Sequence, residues 1–126
     1  MSEHALKRRA AEKRGRVAEL IAALWLMGKG YRILGQRLRT PFGEVDLAAW
    51  KQGVLVIVEV KARKTLLAGA ESISPQSQQR IMRAAQTLAG RWRLTAAPIR
   101  FDLMVVGAGW LPRHERGAFW CDRTNV

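Results

Sequence analysis

The chain is 126 residues long, 48% apolar and 25% charged, the length and composition of one globular domain able to bury about two-thirds of its unfolded surface. That excludes a second full domain and intrinsic disorder, and a single cysteine, Cys121, excludes an internal disulfide framework or a Cys-rich zinc module. Lys and Arg total 22 against 10 Asp and Glu, leaving +12, a field that concentrates polyanions and releases their counterions, so nucleic acid is the expected partner.

The first sixteen residues carry Lys7, Arg8, Arg9, Lys13, Arg14 and Arg16 against Glu3 and Glu12, which predicts a basic helical arm at the start of a single domain spanning 1–126. The helix runs on through Val17, Leu20, Ile21, Leu24 and Met27, spaced for one helical face, and Gly28 and Gly30 end it, so helix one is expected over residues 3–28. The longest apolar run, Val17 to Met27, carries Glu19 and follows a charged start. It suits neither a membrane span nor a secretory signal, and a cytoplasmic protein is the expectation.

From Tyr31 the period changes to a loose alternation that Thr40-Pro41 and Gly43 interrupt, predicting a first strand. Glu44 to Trp50 alternates as a second strand, Lys51-Gln52-Gly53 turns, and Val54-Leu55-Val56-Ile57-Val58-Glu59-Val60 is the β-branched run of a buried central strand. Residues 63–76 lack periodicity and are expected to form a loop. A second helix begins near Pro75 with Ile81, Ala84, Ala85 and Leu88 on its buried face and Arg80, Arg83 and Arg91 flanking it, and Gly90 marks its end. Pro98 opens a strand through Val105, and a short last strand is expected around Phe119 to Asp122.

Chemistry is carried by the acids of a chain poor in them. Glu59 lies inside an apolar strand, where a carboxylate must be paired, hydrogen-bonded or bound to a cation. If Gln52-Gly53 is the two-residue turn, Lys51 pairs with Val54 and the register sets Asp46 opposite Glu59 and Glu44 opposite Lys61 on one side of the sheet. Carboxylates about 5 Å apart repel by about 3 kcal/mol at an effective dielectric near 20, and a divalent cation reverses the sign. Two oxygen ligands that leave sites for water and phosphate suit Mg²⁺ or Mn²⁺, not tetrahedral zinc. The neighbouring Lys61 ammonium would orient or help deprotonate an attacking water, or stabilise charge on the phosphorus oxygens. The plain alternative for Glu59 and Lys61 is a solvated strand face with a Glu44–Lys61 ion pair.

Glu44-Val45-Asp46 followed by Glu59-Val60-Lys61 resembles the PD-(D/E)xK nuclease signature. With Gly15…Glu19, Gly30-Tyr31, Gly43-Glu44-Val45-Asp46-Leu47, Val58-Glu59-Val60-Lys61-Ala62-Arg63, Gln78 and Arg100-Phe101-Asp102, the chain resembles the YraN family of predicted endonucleases over most of its length, and archaeal Holliday-junction resolvases at longer range. The resemblance implies an α/β fold of the restriction-endonuclease type, a central mixed sheet of about four or five strands flanked by helices. It implies hydrolysis of DNA phosphodiesters, with branched and single-stranded DNA as candidate substrates; the alternative is a binding protein that keeps the nuclease fold without cutting. Asp46 and Glu59 would be metal ligands, Lys61 the catalytic lysine, and Glu19 the additional acid that helix one supplies in resolvase-like members. Two positions depart from the pattern: Val45 stands where the wider signature has Pro, and Ser77 where many YraN-type sequences have Lys, which removes one charged contact from helix two.

Arg63 and Lys64, just past the ExK strand, with Gln78, Arg14 and Arg16, are the expected nucleic-acid contacts. Of the five Trp, Trp25 and Trp50 read as packing residues and Trp92, between Arg91 and Arg93, as the one candidate for base stacking. Asp102 reads as a structural partner of Arg100. A homodimer would suit a symmetric junction, which needs two nicks, although no stripe in the sequence demands one.

Overall fold

A computed structural model describes residues 2–107 and 111–119. Its elements run α1 (Glu3–Gly28), β1 (Arg32–Thr40), β2 (Gly43–Lys51), β3 (Val54–Ala62), α2 (Leu66–Glu71), α3 (Pro75–Arg91), β4 (Ile99–Val106) and β5 (Pro112–Phe119). The five strands form one sheet in sequence order, antiparallel except where β3 lies beside β4. A parallel pair needs a crossover, and α2 with α3 supplies it. This is the expected α/β architecture with a mixed sheet flanked by helices, consistent with the restriction-endonuclease type.

Capping side chains set the helix starts. Ser2, Thr65 and Ser74 each accept the backbone N–H three residues on, opening α1, α2 and α3, and Pro75 takes the first turn of α3. The β2–β3 turn is made by Gln52 (φ 52) and Gly53 (φ 78), both left-handed, the type I′ geometry whose twist matches the strands. Asparagine adopts that backbone more readily than glutamine. Gln52→Asn is therefore expected to stabilise the protein by about 0.5 kcal/mol, read as a higher urea midpoint with an unchanged slope.

Two cores sandwich the sheet. Leu55, Ile57, Phe101, Leu103 and Val105 meet Ile81, Ala84, Ala85 and Leu88 of α3 on one face, and Val56, Val58 and Met104 meet Ala18, Ala22, Ala23 and Leu26 of α1 on the other. The α1 face is not the one expected. Alanines let this helix approach the sheet closely, so Leu20, Leu24 and Met27 turn outward at 54%, 58% and 56% exposure, and Trp25 is exposed as well. Trp50 packs against the α3 core as expected, and Trp92 does so too, which makes it a packing residue.

Two further expectations are corrected. Residues 66–71 of the expected loop form α2, which Gly69 lets settle on β4: a Cβ there would overlap Val105. The last strand is β5 at Pro112–Phe119, earlier than expected, because it pairs with β4 from Val106↔Pro112 onward. Trp110, Trp120, Cys121 and the rest of the segment expected as that strand, 120–122, lie outside the described residues. Among the described residues no helix is long and apolar enough to cross a membrane.

Candidate active site

The register that sets up the site is local in origin but ends early. From Lys51↔Val54 the β2–β3 ladder holds the expected pairing only as far as Leu47↔Val58. There the alternation of β2 slips: Leu47 and Ala49 face α1, whereas Val45 joins Ala48 in the α3 core. Across from the slip, the β1–β2 pairing passes from Gln36↔Leu47 to Leu38↔Val45 over Arg37, whose φ of 50 is left-handed for a residue with a side chain. Asp46 is thereby freed from the ladder. Its Oδ2 accepts the Val60 N–H at 2.9 Å, taking the place of a strand carbonyl. The expected backbone pairing of Asp46 with Glu59 and of Glu44 with Lys61 is thus absent, yet the Asp46 and Glu59 side chains meet and Glu44 and Lys61 line the same cleft.

Asp46 and Glu59 are hydrogen-bonded carboxyl groups, and Glu59 is buried. Burial first, and then the hydrogen bond and charge of Asp46, push Glu59 up to about 9, against a smaller opposing pull from Lys61 and Arg80. The pair therefore favours one proton held between two groups which, both ionised, would repel by about 4 kcal/mol at an effective dielectric near 20.

Around this pair lies an open cleft of about 500 Å³ lined by Glu12, Arg16 and Glu19 of α1, Arg37 of β1, Glu44 of β2, Lys61 of β3 and Arg80 of α3. Together with Asp46 and Glu59, five of the ten acids of a +12 chain face one space. Glu19 is turned to Arg37, its Oε2 3.1 Å from both Nε and Nη2, and burial raises its carboxyl above the ordinary range. Among the described residues no three His, Cys, Asp or Glu side chains are disposed to hold a metal. The donors that fit one are Asp46 and Glu59, a pair of hard oxygen ligands already in contact, with a proton that a divalent cation would displace.

Of the expected site residues, Asp46, Glu59, Lys61, Glu44, Glu19 and Arg16 line the cleft. Arg14, Arg63 and Lys64 are exposed outside it, the Arg63 guanidinium donating to the Ala62 carbonyl at 2.9 Å, and Gln78 is half-buried on the first turn of α3. Arg37, Arg80 and Glu12 join the cleft beyond the expected set. Despite Ser77, α3 does deliver a cation: Arg80 donates to the Glu44 carbonyl at 3.3 Å and passes over Gly43 (φ 116), where a Cβ would collide with its Nη1. A sequence signal existed, since Arg80 precedes Ile81 at the edge of the buried face and Gly43 marks the gap.

A second polar cluster lies on β4 and β5, with Asp102 beside Val58 in the sheet. Asp102, wholly buried, accepts Arg100 Nε and Nη2 at 2.8 Å each, the Gly117 N–H at 3.0 Å and His114 Nε2 at 2.7 Å. Lys29 Nζ lies 2.8 Å from His114 Nδ1; an ammonium has no acceptor, so Nδ1 accepts and Nε2–H donates to Asp102. Arg100 also donates to the Tyr31 hydroxyl at 2.6 Å. Asp102 is the structural partner of Arg100 that the sequence suggested, with His114 and Lys29 added.

The model of the uncharacterised protein family UPF0102 matches residues 18–106. The chain belongs to the UPF0102, or YraN, family. It is 51% identical over 111 residues to a UPF0102 protein of Caulobacter sp. strain K31, covering 87% of this chain and 80% of that protein. It is 47% identical over 113 residues to one of Maricaulis maris, covering 89% of each, and 43% identical over 118 residues to one of Rhodopseudomonas palustris, covering 90% of this chain and 88% of that protein. The UPF0102 match takes in Glu19, Arg37, Glu44, Asp46, Glu59, Lys61 and Arg80; the basic arm with Glu12, Arg14 and Arg16 precedes it, and His114 follows it.

Proposed function

We propose that this UPF0102 protein is a divalent-cation-dependent endonuclease acting on DNA phosphodiesters at the β2–β3 cleft. The observation that carries the reading is the contact of Asp46 with Glu59, on a splayed strand pair beside Lys61, in the one cleft where half of the acids of a strongly basic chain gather. Asp46, held by the Val60 N–H, and Glu59 would anchor Mg²⁺ or Mn²⁺, which when bound supplies Lewis-acid neutralisation of phosphate charge and an acidified water. Lys61, two residues from Glu59 on the same strand, places an ammonium where it orients the attacking water or stabilises the charge that grows on the phosphorus oxygens. Arg16, Arg37 and Arg80 line the same cleft and supply contacts for the flanking phosphates.

The test is cleavage of linear, single-stranded and branched DNA with and without Mn²⁺. Cleavage should require the cation and fall at least a hundredfold in Asp46→Asn and in Lys61→Ala, with thermal melting showing both folded. Equal cleavage by wild type and variants marks a contaminant. The buried proton on Glu59 also suits a protein that binds nucleic acid without cutting it; salt-sensitive binding with no cation uptake by calorimetry would select that reading.

A further inference from the structure

Beside the cleft, on the other side of Arg80, lies a second groove of about 190 Å³ lined by Phe42, Gln76, Gln79, Arg80 and Arg83. Phe42 stands at the tip of the β1–β2 turn, which Thr40 holds by accepting the Phe42 N–H at 3.1 Å and donating to the Gly43 carbonyl at 2.7 Å. Phe42 is 41% exposed on a basic protein, with the Arg83 guanidinium 5.9 Å from its ring centroid. Gln76 and Gln79 are three apart on α3 and so project from neighbouring positions, each amide carrying both donor and acceptor.

The geometry points to a nucleobase subsite here: Phe42 as the stacking platform, the Gln76 and Gln79 amides for base edges, and Arg80 shared with the phosphate cleft. Nothing in the catalytic set accounts for an exposed aromatic ring beside two amides and two guanidiniums. Aromatic rings accept any base by its π-face, while arginines hold the backbone. A base inside a duplex is stacked and cannot reach such a platform, so the site selects single-stranded or unpaired nucleotides. This inference rests on the nuclease reading and narrows it, placing an unstacked base next to the phosphodiester that Asp46, Glu59 and Lys61 would handle.

The experiment is metal-free binding by fluorescence anisotropy at fixed salt, in chelator, which reads the subsite independently of cleavage. Probes are oligothymidylate, an abasic deoxyribose-phosphate strand of equal length, and a blunt duplex. The wild type should prefer oligothymidylate to the abasic strand by about tenfold, within the range of one stacking contact. Phe42→Ala should erase that preference while leaving abasic and duplex affinity within about twofold, and Phe42→Trp should restore it. Gln76→Ala/Gln79→Ala should reduce it in part. If the wild type shows no preference, or Phe42→Ala weakens all three probes alike, the subsite does not exist. Absence of metal-dependent cleavage with the preference intact would instead overturn the nuclease reading alone.

Discussion

Glu59→Gln is expected to abolish cation-dependent cleavage and, in the same protein, to raise stability at alkaline pH. Loss of a ligand removes several kcal/mol of charge stabilisation from the transition state, about a thousandfold or more in rate. The stability gain follows from the proton. Burial and Asp46 push Glu59 from 4.5 up to about 9, so between those values the folded state holds a proton that the unfolded chain has released. Stability therefore falls as pH rises through that window, by up to about 1.4 kcal/mol per pH unit, and levels off above it. Glutamine is neutral throughout and still offers Asp46 a donor, so the variant loses the slope. Urea unfolding at about pH 5, 7 and 9 should show wild-type stability declining and the variant level by comparison. A wild type without the decline, or a variant that shares it, would remove the buried proton. By the same linkage, Mn²⁺ binding should release a proton and strengthen as pH rises toward about 9.

Asp102→Ala should cost about 3–5 kcal/mol, the range for removing one partner of a buried charged cluster. The deleted carboxylate leaves the Arg100 guanidinium, the His114 Nε2–H and the Gly117 N–H without their acceptor. It also loosens the tie between the end of α1 and β5, which runs from Lys29 through His114. Burial alone would raise the Asp102 carboxyl, but the hydrogen bonds from His114, Arg100 and Gly117 hold it at about 2. Its folded value is depressed, so its contribution is complete above the ordinary value of 3.8 and is lost as pH falls toward about 2. Asp102→Asn, which preserves shape and loses charge, should lose less than alanine and weaken the acid sensitivity. Thermal and urea unfolding of the three proteins measure this; a loss below about 1 kcal/mol for alanine would show the cluster to be incidental.

How much of this protein the sequence determines depends on how far apart the deciding residues are. Gly28 and Gly30 end α1, the β-branched run from Val54 marks the central strand, and Gln52-Gly53 determines the hairpin register, because stop signals, turns and alternation act within a few residues. The placing of Glu44 and Asp46 on the strand antiparallel to that of Glu59 and Lys61 was legible for the same reason, although the ladder ends at Leu47↔Val58, before those residues pair. The buried face of α1 is not legible in the sequence, because the spacing of large apolar residues does not reveal that the sheet demands small ones. The slip at Asp46, the left-handed Arg37, the arrival of Arg80 over Gly43 and the contact of Lys29 with His114 join residues 14 to 85 positions apart or depend on neighbouring strands. Sequence by itself determined which acids and which lysine share a strand pair, since a two-residue turn leaves the chain little choice. Only tertiary structure decided that Asp46 leaves the ladder, that burial and Asp46 raise the Glu59 carboxyl, and that cations from three other elements surround them, because those outcomes depend on burial and on side chains that distant segments bring into contact.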